Sequence, residues 1–187
     1  KYMKKFAFSI VIFIITTSNS FGHVEHYSNL NTLKYDLYRN NKLIGYHNYD
    51  FTKEKEFITV NSEVKFKITK LGVDLYKYEA KSEEIYKNKK FFKFSSKTKQ
   101  NKKDKYVKIE LDNKNDRLKI DGSSFKGYSS NEFIVGTWWN HEIVKAKAQI
   151  SAISGRIIEQ KVTFIGKEKI TVGNKQYDTL HFNFKSS

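Results

Sequence analysis

With 187 residues, no cysteine and no proline, the chain is long enough for one domain and must stabilise its core without disulfides. Its net charge of +15 comes from 32 lysines and only 3 arginines against 20 acidic residues. The lysines alternate with apolar residues, so a solvated sheet face explains them at least as well as a polyanionic partner does. No nucleophile–base pair, glycine-rich phosphate loop or paired-carboxylate motif stands in the sequence, which excludes any motif-based assignment of an enzyme class.

In chain order, Met3-Lys4-Lys5 precedes an apolar run from Phe6 to Ile15 and then small polar residues, the layout of a secretory signal peptide. The run is shorter than the roughly 20 residues a membrane span needs, although an uncleaved N-terminal anchor is the alternative. Small residues at Ser20 and Gly22 predict cleavage before His23, with a cut after Ser20 as the second choice. Residues 1–22 are thus expected to be removed, leaving a periplasmic chain of net charge +12. Export also puts nucleic acid out of reach, and none is expected as a partner. His23 and His26 have ligand-like spacing but no third donor nearby, so no metal and no cofactor is expected.

From Leu33 onward the pattern is that of an antiparallel meander: period-2 segments separated by short polar turns. Strands are predicted from Leu33 to Tyr38 and Leu43 to Phe51, joined at Asn40-Asn41, whose side chains tolerate a tight hairpin. Further strands follow over Ile58–Ile68, Val73–Tyr86 and Phe91–Gln100, then around Val107–Leu111 and Leu118–Ile120, with a lysine-rich loop at Asn101–Lys105. Ser123–Ser130 reads as a loop, and Asn140–Gln149 as a short helix with Asn140 as its N-cap and Glu142 in its first turn. Arg156–Ile165, Lys169–Val172 and Gln176–Phe184 complete the strands. The expected fold is all-β: one domain over residues 23–187, a single curved antiparallel sheet forming a half-barrel or open barrel. Because the chain stops just after a strand, it is expected to be truncated at its C-terminus.

Such a sheet has one apolar face, and something must cover it. One short helix cannot, so either the sheet curls on itself or a ligand or partner acts as lid. If Lys70–Gly72 is the turn, Phe66 lies opposite Tyr76, Val64 opposite Tyr78, Ser62 opposite Ala80 and Val60 opposite Ser82. Across the next turn Ser82 faces Ser96 and Ala80 faces Thr98. The small residues Ser62, Ala80, Ser82 and Ser96 then form a notch ringed by Phe66, Tyr76, Tyr78 and Phe94, which admits a ligand, a crossing segment or only a tight bend. A one-residue slip in register would erase it.

The densest constellation is Thr137-Trp138-Trp139-Asn140-His141, which holds both tryptophans of the chain. Adjacent residues cannot both point into one pocket, so at least one ring is expected at a surface or cleft. Trp138 and Trp139 could form an aromatic platform with Asn140 and His141 as polar contacts, or simply plug the core.

The chain resembles an uncharacterised family of exported alphaproteobacterial β-proteins, known only as a domain of unknown function. The resemblance is carried by Tyr35-Asp36-Leu37-Tyr38, Ile44-Gly45, Trp139-Asn140 and Ser154-Gly155-Arg156 leading into Val162–Glu168. That family is distantly similar to periplasmic lipoprotein-carrier-like curved-sheet proteins, which implies a concave apolar face and lipid-like cargo, and it brings no catalytic residues. Members continue through a further strand that this sequence lacks. The resulting expectation is a periplasmic, non-catalytic binding or carrier-like protein for an apolar or amphipathic ligand. The alternatives are an envelope assembly partner that binds another protein and, less favoured, an envelope enzyme built on His47, His141 or His181.

Overall fold

The computed structural model describes Tyr27 and residues 29–186; the expected leader over residues 1–22 and the His23/His26 pair lie outside the described residues. Eight strands follow one another in an antiparallel meander: β1 (Thr32–Arg39), β2 (Lys42–Glu54), β3 (Phe57–Lys70), β4 (Val73–Lys87), β5 (Lys90–Gln100), β6 (Lys103–Asp112), β7 (Arg117–Gly122) and β8 (Lys126–Ser130). The sheet keeps two open edges, β1 and β8, and is not closed into a barrel. A second, four-stranded sheet is formed by β9 (Ile134–Val135), β10 (Ala148–Ile150), β11 (Ile157–Val172) and β12 (Lys175–Ser186), ordered β12-β11-β10-β9.

The hairpin tips are encoded locally. Asn40 and Asn41 have φ of 50° and 59°, the left-handed pair that a two-residue turn matched to strand twist requires. Asn88-Lys89 repeats the device and Asn101 takes the same left-handed conformation at φ 53°, so the lysine-rich loop expected at 101–105 is a tight turn that leads straight into β6.

Period-2 alternation places the apolar side chains of the meander on one face. Phe94, Val107, Ile109, Leu118 and Ile120 are buried there against Val135 and Ile150. Tyr49, Phe51, Val60 and Tyr86 are buried against Trp139. The cover is therefore the chain's own: the segment from Phe133 to Ile157, with β9 and β10, lies across the inner face. Its last bend is fitted by glycine. A Cβ at Gly122 would sit 2.5 Å from the Ser154 carbonyl oxygen, while Gly155, at φ +79°, has the left-handed backbone that the bend needs.

Local differences from the sequence reading have identifiable causes. Phe66 pairs with Tyr78, Val64 with Ala80 and Ser62 with Ser82, two residues from the expected register, because the turn is the two-residue Leu71-Gly72 and a bulge follows at Ile68/Thr69. A shift of two preserves the face, so the same side chains still point inward. Ser82 faces Ser96 and Ala80 faces Thr98. Ser123–Ser130 is not all loop: Lys126–Ser130 pairs with β7, where backbone pairing outweighs Ser/Gly composition. The helix expected over Asn140–Gln149 is one 3-10 turn, His141–Val144, with the Asn140 side chain accepting from the Glu142 N–H at 3.0 Å; after a short bend the chain enters β10 at Ala148. The two segments expected between Arg156 and Val172 are one strand with a bulge between Phe164 and Gly166.

Candidate ligand pocket

Where the inner face carries small residues, the cover leaves a space beneath it. Ser62, Ala80, Ser82, Ser96 and Thr98 form the floor of a cavity of about 430 Å³, within the usual range for small-molecule sites. Leu37, His47, Val64, Phe66, Tyr76, Tyr78 and Gln100 make its walls, and Gly136–Trp138 with Ala152 and Ile153 its roof. Phe66 stacks on Tyr78 at 5.1 Å and meets Tyr76 at 5.8 Å, giving one wall a continuous aromatic surface.

Among the described residues no charged side chain lines this cavity. His47 is the one ionisable group near neutrality, and burial lowers its pKa, which favours the neutral imidazole. Its Nε2 lies 2.9 Å from the Ser62 Oγ, and its Nδ1 3.5 Å from the Tyr49 hydroxyl. Tyr49 donates its proton to the Thr137 carbonyl, so its lone pairs face the imidazole. Ser96 donates to the Ala152 carbonyl, which ties floor to roof, and Gln100 Nε2 donates to the Tyr76 hydroxyl at 3.0 Å. Thr98 Oγ1 is buried without a well-formed hydrogen bond. Burial raises the Tyr78 phenol, an effect that the neighbouring Thr98 hydroxyl partly offsets. The interior thus offers hydroxyls and one imidazole among aromatic and methyl groups, and it would charge a heavy desolvation cost for an ion.

The roof is held by a buried carboxyl. Glu84, on the inner face of β4, accepts from the Tyr86 hydroxyl (2.6 Å), the Thr137 hydroxyl (3.0 Å) and the Trp139 indole N–H (2.9 Å). Burial pushes the carboxyl above its ordinary value, and the three donors pull the other way. Asn140 Nδ2 donates to the Tyr86 hydroxyl at 3.4 Å. Trp139 is edge-on to Tyr27, Phe51 and Tyr86, with centroids 5.2, 5.5 and 5.8 Å away. Trp138 alone takes the left-handed conformation, φ +66°, and this reversal sends its ring outward while Trp139 turns in. Its ring is 59% exposed, lines the cavity and meets Phe184 of β12 at 5.5 Å.

Of the residues singled out from sequence, Ser62, Tyr76, Tyr78, Ala80, Ser82, Ser96 and Trp138 come together around this cavity. Trp139 and Asn140 do not line it; both are buried in the Glu84 network. Sequence reasoning missed Glu84, and it weighed His47 only as a catalytic candidate and not as a wall of this notch. Each sits at an inward position of its strand, where a polar residue in an apolar register was the available signal.

The three described histidines that were weighed for catalysis stand apart. His141 lies beside Tyr27 and 3.3 Å from Glu142, and His181 3.5 Å from Glu168 on the β11–β12 ribbon. His47 can take a proton from Ser62, which sits mid-strand with Tyr49 opposite it on β2 and Ser82 on β4. Among the described residues no group of three or more His, Asp or Glu could hold a metal. On the outer face lysines and glutamates pair across strands, Lys65–Glu79 at 2.8 Å and Lys81–Glu63 at 3.3 Å, as a solvated sheet surface does.

A family described as Domain of unknown function (DUF6134) matches residues 35–187. The chain belongs to this family. The match takes in every residue of the cavity and its roof. Comparison with curated proteins and with solved structures gives no match.

Proposed function

We propose that the protein is a non-catalytic binding or carrier-like protein of the periplasm that takes an uncharged or weakly polar amphipathic ligand. The observation that carries this reading is the charge-free cavity of serines, threonine and alanine walled by aromatics and roofed by Trp138, in a chain otherwise crowded with lysine. Its hydroxyls and the neutral His47 suit a polar head such as a hydroxyl or amide, while Phe66, Tyr76, Tyr78 and Trp138 suit a flat or chain-like apolar body. The Met3–Gly22 pattern supports export. The likeness to alphaproteobacterial exported proteins and, distantly, to lipoprotein carriers supports lipid-like cargo.

The test is to incubate the full-length protein with envelope lipid extract, re-purify it and identify bound material by mass spectrometry. One ligand class is expected at near-stoichiometric amounts, reduced at least tenfold by Ala80→Leu. Protein that stays empty, or an unchanged yield in the filled variant, would sink the reading.

A second reading, an envelope assembly partner, is favoured by the β11–β12 ribbon. Phe164, Ile165, Ile170, Val172, Tyr177 and Leu180 are all exposed there, and β12 is an edge strand of its sheet. Capture of one stoichiometric envelope protein, lost on Leu180→Lys, would support it.

A further inference from the structure

The hairpin tips of the large sheet are built from different chemistry. At one end the β2–β3, β4–β5 and β6–β7 tips carry lysine, glutamate, asparagine and aspartate, with no exposed large apolar side chain. At the other end, the β1–β2 and β3–β4 hairpins expose Tyr38, Leu43, Leu71, Val73 and Leu75.

Leu71 is the extreme case: 95% exposed at the tip of β3–β4, with φ +49°. A left-handed residue at this turn position favours asparagine or glycine; the tips at Asn40, Asn88, Asn101 and Gly173 conform, and Lys55, at φ 53°, departs with a side chain that water solvates. Leucine there costs conformational energy and leaves an isobutyl group in water. At 95% exposure Leu71 has next to no packing among the described residues to offset either cost.

Behind this tip the sheet opens. The β2–β3 ladder ends at Gly45–Phe66 although both strands run further, and the strands part around a groove of about 700 Å³. Leu43, Ile44, Ile68 and Leu75 line it together with Arg39, Lys42, Lys67 and Lys70, and among the described residues no acidic one does. Lys67 reaches Asp74 at 3.7 Å, whereas Arg39, Lys42 and Lys70 have no carboxylate partner among the described residues. Apolar tips ringed by unpaired cations match one surface in both respects, that of an anionic lipid bilayer.

We propose that the β1–β2 and β3–β4 hairpins are a docking face for anionic phospholipid membrane, with Leu71 and Val73 entering the interface and Arg39, Lys42 and Lys70 meeting the headgroups. This goes beyond the ligand reading and does not depend on it, although the two fit together: Leu37, Phe66 and Tyr76 of the cavity lie on the strand ends next to these tips.

The full chain is tested by sedimentation with vesicles of phosphatidylcholine alone or mixed with phosphatidylglycerol. Binding is expected only to the anionic vesicles and should fall with added salt. Leu71→Asn suits the turn and keeps the fold; it should weaken binding about tenfold, in line with one leucine withdrawn from an apolar environment. Lys42→Glu with Lys70→Glu should weaken it at least tenfold, while Lys55→Asn at the opposite end changes nothing. Equal binding to both vesicle types, binding to neither, or Leu71→Asn behaving as wild type would overturn the proposal. Trp138→Gly separates the two readings: it should leave vesicle binding intact while reducing bound lipid, and vesicle binding lost with Trp138 would count against a docking face at the hairpin tips.

Discussion

Two regions of the same inner face, built by the same alternation, end differently. Across β5–β7 the inward residues Phe94, Val107, Ile109, Leu118 and Ile120 are large enough to meet Val135 and Ile150 of the cover, and the face is closed. Across β3–β5 the inward residues are Ser62, Ala80, Ser82, Ser96 and Thr98, and beneath the same cover a cavity remains. Antiparallel pairing runs through both regions, with register shifts at Ile68/Thr69 and Ile85/Tyr86, and it is the volume of the inward side chains that differs between core and container. The cover repeats the contrast within two residues: Trp139 is buried in a second closed patch with Tyr49, Phe51, Val60 and Tyr86, and Trp138 roofs the open one.

The tryptophan pair offers the largest effect with which to break that contrast. Trp139→Ala should destabilise the protein by about 4 kcal/mol, since it empties a buried aromatic site and removes one of the Glu84 donors. Trp138→Gly should change stability by no more than about 1 kcal/mol, in the stabilising direction if anything, because glycine accepts φ +66° without penalty. Urea denaturation of both variants checks this, and equal losses would mean that the two rings share one structural role. A smaller contrast comes from volume. Ile109→Ala in the closed half should cost about 3 kcal/mol. Ala80→Leu, which fills existing space in the open half, should cost less than about 1.5 kcal/mol while abolishing ligand uptake. A steep loss from Ala80→Leu would show that the cavity has no room to give.

Much of this was legible in the chain. The meander follows from period-2 alternation and from asparagine-bearing tips such as Asn40-Asn41, both local signals. The notch survived a misjudged β3–β4 turn because the error was two residues, and an even slip returns each side chain to its face. The cover was harder to read. Its contacts join Thr137 and Trp139 to Glu84 across more than fifty positions, and a segment of two short strands and one 3-10 turn has too little periodicity to announce where it lies. Asn140 was read correctly as a cap and also placed among the ligand contacts; its side chain serves Glu142 and Tyr86 instead. Leu71 passed as a turn residue beside Gly72, since its exposure becomes informative only once nothing is found packed against it.

The smallest effect sets a titratable group of each region against the other. Burial raises Glu84 of the pinned cover, so the folded state holds that proton more tightly than the unfolded chain does. Its share of stability is complete below the ordinary carboxylate pKa, about 4.5, and declines as pH rises through the raised folded value. Burial lowers His47 of the cavity, so its share is complete above the ordinary imidazole pKa, about 6.5, and declines as pH falls through the lowered folded value. The two slopes oppose each other, and substitution separates them. Glu84→Gln keeps an acceptor for Thr137 and Trp139 and offers Tyr86 a donor, so the fold should persist while the decline above pH 4.5 flattens. His47→Gln should flatten the decline below pH 6.5 and leave the Glu84 limb unchanged. Chemical denaturation from pH 4 to pH 8 reads both. If His47→Gln altered the Glu84 limb as well, the pinned cover and the open cavity would be one coupled network through Tyr49 and Thr137, and the division of the inner face into two independent regions would fail.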